Sequence, residues 1–126
     1  MEFHHIGIAC RNIEFGKYML QAMFEIKEST DCIFDGQQNA RLCMMTLKDG
    51  TRIELVEGDV VNSFLKKRQF LYHICYTTTT LELDIKKLID LGATLVSEPK
   101  GATLFQQRKV AFLMSEMGMI ELLEEE

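Results

Sequence analysis

A β-α-β-β-β pattern that occurs twice along the chain predicts an α+β fold of two pseudo-symmetric βαβββ modules forming a curved mixed sheet. Two observations carry this. The sequence falls on itself at offsets of 67 to 68 residues, placing His5-Ile6 on His73-Ile74 and Ile53-Glu54-Leu55 on Ile120-Glu121-Leu122. The apolar periodicity also switches from strand to helix and back at matching points in both copies. Glu14–Met23 falls on Glu82–Leu91 at 68, and Met44–Glu57 on Ala111–Glu124 at 67. Two copies are too few for a solenoid. A length of 126 residues fits a single domain over 1–126, with module 1 at about 1–57, a connector at about 58–69 and module 2 at about 70–126.

The elements follow in order. Residues 3–10 (FHHIGIAC) and 70–77 (FLYHICYT) are β-rich runs of strand length. Residues 13–24 carry Phe15, Met19, Leu20 and Met23 on one helical face, and 81–91 do the same with Leu81, Ile85, Leu88 and Ile89. Thr79 with Glu82 forms a capping box, and Gly92 stops that helix. Three strand-like runs follow each helix: 26–33, 39–47 and 51–57, then 93–98, 106–114 and 117–124. Asp49-Gly50 signals a hairpin turn. Asp59–Lys67 reads as a short helix joining the copies, and Glu124–Glu126 as a solvated end.

Composition narrows the function. A formal charge of −5 provides no basic stripe for a nucleic acid, and no apolar run is long enough to span a bilayer. The N-terminus lacks the basic and apolar regions of a signal peptide. The cysteines 10, 32, 43 and 75 show no CxxC pair and read as reduced thiols, so the chain is expected in the cytoplasm.

The repeat places one histidine on the first strand and one glutamate on the last strand of each copy. Alternate strand residues share a face, so His5, Glu54, His73 and Glu121 point away from their aliphatic neighbours. If the modules pair about a pseudo-twofold axis, two imidazoles and two carboxylates converge on one divalent metal. Such a set leaves octahedral positions open, as a Lewis-acid catalyst requires. Nickel, cobalt, zinc and manganese all suit these donors. His4 aligns with Tyr72 and is not expected to ligate.

HHIGIAC (4–10), RIELVEG (52–58), YHICY (72–76) and RKVAFL…GMIELLE (108–124) resemble the vicinal oxygen chelate superfamily over essentially the whole length. The resemblance is to its lactoylglutathione lyase (glyoxalase) and methylmalonyl-CoA epimerase branch. It implies paired βαβββ modules around a metal cavity, a homodimer, and a metal held at His5, Glu54, His73 and Glu121. It also implies proton abstraction next to a metal-chelated carbonyl, through an enediolate or enolate, with Glu121 as base ahead of Glu54. The substrate is then a small thioester or thiol adduct. Glutathione-type members carry Arg four residues after the first His and Asn four after the first Glu, where this chain has Ala9 and Gly58. Some epimerases place a second carboxylate on the strand matching 39–47, which here contains none.

Around the expected metal, Arg52 shares the face of Glu54, as a cation for an anionic substrate or as an exposed strand arginine. Met119 and Leu123 flank Glu121 and are expected to line an apolar pocket. Cys75 lies one pleat from His73, roughly 6 to 7 Å along the strand, and reads as cavity lining. The resemblance also implies that Arg108-Lys109 lies in a loop near the pocket mouth, with Arg108 touching the phosphate of a thioester carrier or simply solvated. Methionines 44, 45, 114, 117 and 119 read as core filling. Two alternatives remain: a non-catalytic binding or resistance protein of the same fold, and a metal-dependent thiol transferase with Glu54 outside the coordination sphere.

Overall fold

The structure, a computed structural model, describes residues 1–125. Its nine strands and three helices run β1 (Glu2–Ala9), α1 (Ile13–Met23), β2 (Ile26–Ser29), β3 (Ile33–Asp35), β4 (Ala40–Leu47), β5 (Arg52–Glu57), α2 (Asn62–Lys66), β6 (Leu71–Thr78), α3 (Leu81–Asp90), β7 (Thr94–Ala102), β8 (Arg108–Ser115) and β9 (Gly118–Glu124). The chain divides into two compact units: residues 5–72, and residues 1–4 together with the chain from 73 onward. The expected connector, formed by a 3-10 turn at Asp59–Val61 and α2, belongs to the first unit.

In the first unit the strands are ordered β2-β4-β5-β1, with β3 also on β4. β1 and β5 are parallel, with Ile6 opposite Ile53, while β4 and β5 are antiparallel, so the pairing is mixed. The core lies between this sheet and α1: Ile13, Cys43, Met45, Ile53 and Leu55 are buried, with Ile6, Ile8 and Leu20 packed against them. Asn12 caps α1 by accepting from the Phe15 amide at 3.1 Å. The carboxylate of Glu57 accepts from the Ile13 amide at 2.8 Å, fixing the helix start against the end of β5.

Of the apolar face expected on α1, only Leu20 packs inward. Two apolar stripes run along this helix, and the stripe with the larger side chains faces solvent: Phe15, Met19 and Met23 are exposed. The helix instead turns Ile13, Gly16 and Leu20 inward. A methyl group at Gly16 would sit 3.3 Å from Leu55 and 3.1 Å from the Cys10 sulfur, so the helix backbone approaches the sheet too closely for a large residue.

The second unit repeats the plan with order β6-β9-β8-β7. β6 and β9 are parallel, and β8 is antiparallel to β9. Leu81 and Ile85 of α3 pack on Ala111, Leu113, Ile120 and Leu122. Gly92 (φ 104°) ends α3 as expected. There the Ala93 amide donates to the Leu88 carbonyl at 2.9 Å and the Gly92 amide to Ile89 at 3.0 Å. The Thr79–Glu82 capping box does not form. The N-cap is Thr80, and the hydroxyl of Thr78 accepts from the Thr80 amide at 2.9 Å while donating to Asp84.

Several boundaries differ from expectation. The run 26–33 is two strands, because the chain leaves β4 after Thr30 and returns at Ile33. β7 continues to Ala102 through two register shifts, and Arg108-Lys109 opens β8 instead of lying in a loop. Glu124 ends β9, with the Glu125 amide donating to Thr78 at 2.9 Å; Glu126 lies outside the described residues. The repeat offset also needs correcting for β4. Met44 faces Glu54 and Phe112 faces Glu121, so Met44 is equivalent to Phe112, not to Ala111. The first copy's β4–β5 hairpin is one residue longer, which changes the offset from 68 to 67 within the turn.

Candidate functional site

Strand alternation places the expected histidine and glutamate of each unit on the face away from its helix. In the first unit Ile6, Ile8, Ile53 and Leu55 pack toward α1. His5 and Glu54 therefore occupy the other face. Both are buried, and His5 Nε2 stands 3.6 Å from Glu54 Oε1. Gly7 on β1 and Met44 on β4 are the strand neighbours of Glu54.

In the second unit Ile120 and Leu122 pack toward α3, turning His73 and Glu121 to the opposite face. His73 Nε2 lies 3.1 Å from Glu121 Oε1, with both side chains buried. Phe112, directly across from Glu121, sets its ring edge-on to His73 at 5.4 Å and 80°. Val110 and Leu123 are fully buried on the same face. A carboxylate and an imidazole held together under apolar residues are costly to bury, and such arrangements concentrate at functional sites.

The other expected residues are distributed as follows. Leu123 and Met119 share the face of Glu121; Leu123 is buried and Met119 half-buried. Cys75 is buried and paired with Glu121 across β6 and β9. Arg52 is exposed at the start of β5, on the face of Glu54. Arg108 has its guanidinium committed within its own unit: Nε donates to the Phe105 carbonyl at 3.2 Å and Nη1 to the Glu124 carbonyl at 3.3 Å. It anchors the turn before β8. His4 packs its ring against Phe105 at 5.6 Å.

Gly58 has a structural reason for its smallness. Its φ is +147°, and a methyl group there would lie 2.8 Å from the Asn39 carbonyl. A side chain at this position has no room. Phe112 is a site residue that the sequence did not reveal, and Met44, expected as core filling, is the strand partner of Glu54. Their signal is their shared register opposite the two glutamates, hidden by the shift of offset in the first hairpin.

A cavity of about 470 Å³ opens elsewhere in the first unit, lined by Cys10, Arg11, Glu57, Asn62 and Lys66 among others. Cys10 and Glu57 alternate to the helix face of β1 and β5, so this cavity is separate from His5 and Glu54. Glu57 is occupied by the Ile13 amide and by Arg41 at 3.1 Å. Burial pushes the Cys10 thiol up to about 11, which removes thiolate reactivity at neutral pH.

Residues 4–112 match the family model of the glyoxalase/bleomycin resistance protein/dioxygenase superfamily. No curated protein matches the chain in sequence. Among solved structures, methylmalonyl-CoA epimerase from Mycobacterium tuberculosis is similar with a TM-score of 0.82 at 18% identity, over 99% of this chain and 88% of that one. A second methylmalonyl-CoA epimerase structure is similar with a TM-score of 0.75 at 15% identity, over 100% and 96%. A hypothetical protein from Bacillus halodurans C-125 is similar with a TM-score of 0.71 at 21% identity, over 99% and 94%.

Proposed function

Because the chain belongs to the glyoxalase/bleomycin resistance protein/dioxygenase superfamily, the vicinal oxygen chelate proteins, we propose that it is a divalent-metal-dependent isomerase or lyase. In this reading it moves a proton next to the carbonyl of a small thioester or thiol adduct, as a glyoxalase or methylmalonyl-CoA epimerase does. The observation that carries the reading is the recurrence, at equivalent places in the two units, of a buried His–Glu pair: His5 with Glu54 and His73 with Glu121. A strand histidine alone is ordinary. The same pair built twice, with the same atoms facing, supplies the two imidazoles and two carboxylates that one divalent cation would take.

The four side chains fit such an ion by donor chemistry, since imidazole and carboxylate together hold nickel, cobalt, zinc or manganese. When bound, the ion supplies Lewis-acid stabilisation of negative charge on a substrate carbonyl oxygen. The chain's own residues do the rest. Glu121 takes the proton from the carbon beside the carbonyl and returns it; Glu54 is the second candidate. Phe112, Val110 and Leu123 limit water around Glu121, which guards the carbanionic charge. Arg52 provides the cation for an anionic substrate group, and Met119 with Leu123 the apolar contact.

The reading extends to a homodimer working in the cytoplasm. None of the chain's four cysteines is in a disulfide, and among the described residues no helix is long and apolar enough to cross a membrane.

The test is solvent-deuterium incorporation into methylmalonyl-CoA and into the glutathione–methylglyoxal adduct, with protein loaded in turn with each of the four metals. Exchange is expected on one substrate and is expected to fall by about 100-fold or more in Glu121→Gln. Absence of exchange together with absence of metal uptake overturns the reading in favour of a small-molecule binding protein. Metal uptake with thiol transfer in place of proton exchange turns it to the transferase.

A further inference from the structure

We propose that helix α1 is the self-association surface of this protein, packing antiparallel on α1 of a second copy. The proposal rests on the homodimer reading above and adds where the copies meet. Phe15, Tyr18 and Met23 are 62%, 64% and 61% exposed, and Met19 and Phe24 more than two fifths. At 3.6 residues per turn, residues 15, 18, 19 and 23 form one stripe, with the small Ala22 between them. Phe15 and Tyr18 touch each other, ring centroids 6.3 Å apart. The rest of α1 is already committed to its own sheet through Ile13, Gly16 and Leu20.

Area and charge select a second copy as the occupant. With large side chains each presenting roughly 200 Å² when fully exposed, the stripe offers at most about 500 Å² per copy, hence at most about 1,000 Å² for a symmetric pair, the area at which a specific interface begins. In an antiparallel pairing centred on Met19, Phe15 faces Met23 of the other copy and Lys17 faces Gln21, so no like charges oppose. The flanking acids are neutralised within the chain: Glu14 by Arg41 at 3.3 Å and Glu25 by Lys48 at 3.2 Å. A membrane surface would call for a row of basic residues beside the stripe, and α1 carries one lysine in a chain of net charge −5.

Sedimentation equilibrium of the full chain tests this, comparing the parent with Phe15→Glu, Met19→Glu and, as a control on exposed α3, Leu83→Glu. A dimeric parent, a dimer dissociation constant raised at least 30-fold by the two α1 substitutions, and no change with the control are expected. Thermal unfolding of the variants under conditions where the parent is monomeric should match the parent, since the changed residues are exposed. Met19→Cys places one thiol at the symmetry axis and should cross-link under mild oxidation well beyond the parent's background. A parent that stays monomeric at 100-fold the working concentration overturns the homodimer reading itself. A dimer that survives both α1 substitutions and gives no Met19→Cys cross-link overturns the α1 interface alone. Binding of the parent, but not Phe15→Glu, to neutral lipid vesicles would reassign the stripe to a membrane.

Discussion

Replacing Leu122 by Ala tests the strand alternation on which the placement of Glu121 depends. Leu122 is fully buried on β9 among Leu81, Ile85, Ala111, Leu113 and Ile120, under α3. The substitution removes three carbon groups, about 2.4 kcal/mol at roughly 0.8 kcal/mol each. The tightly packed cluster cannot fully collapse, and the remaining cavity adds about 1 kcal/mol, for a total of about 3–4 kcal/mol. With a urea m-value of about 2 kcal/mol/M for a chain of this size, the unfolding midpoint should fall by about 2 M. Leu123 is equally buried, so stability alone does not tell one face from the other. A double-mutant cycle does. Leu122→Ala and Ile85→Ala should couple by about 0.5 kcal/mol or more, whereas Leu123→Ala and Ile85→Ala should be additive. Coupling of Leu123 but not Leu122 to Ile85 would mean that the strand is flipped. Glu121 would then face α3, and the site would not exist.

Three further outcomes follow from the structure. Gly58→Ala should destabilise by about 2 kcal/mol or more in urea unfolding, because the added methyl group meets the Asn39 carbonyl, whereas Gly92→Ala, facing open space, should cost about 1 kcal/mol for its positive φ alone. Cys10 has its thiol raised from 9.0 to about 11 by burial, so the native state retains a proton that the unfolded chain loses. That contribution is complete below pH 9 and is lost as pH rises toward 11, and Cys10→Ala should flatten the fall in unfolding midpoint across that window. Asp49 is held below its ordinary 3.8 mainly by the Thr51 amide in the β4–β5 turn. Its contribution is present above that value and lost as pH falls through the lowered one, so Asp49→Asn should make the acid limb of the stability curve shallower.

The sequence made the plan of each unit legible because strand alternation and the doubled pattern record the same constraint twice. Ile53 and Leu55 had to face a helix, and Glu54 between them had to face away. The same logic at 120–122 placed Glu121. Helix α1 forms as expected, but most of its expected face is turned outward for a physical reason. Its two apolar stripes have the same period, and side-chain size favours the one containing Phe15 and Met19, while close packing is decided by Gly16, whose lack of a side chain admits Leu55. Phe112 escaped notice because a one-residue difference in hairpin length displaced the repeat where β4 meets β5. The capping box failed because Thr78, one residue before the expected cap, already engages Asp84. Arg108, expected to meet substrate or solvent, instead holds the carbonyls of Phe105 and Glu124, which only the fold brings to it.

The most direct measurement is the metal content of the purified, metal-replete chain and of two single variants, His5→Ala in one unit and His73→Ala in the other. If the two buried pairs share one ion, the parent binds one per chain. Either substitution then weakens binding by about 10-fold or more. Two ions per chain, or loss of the metal in one variant but not in the other, would contradict a shared centre.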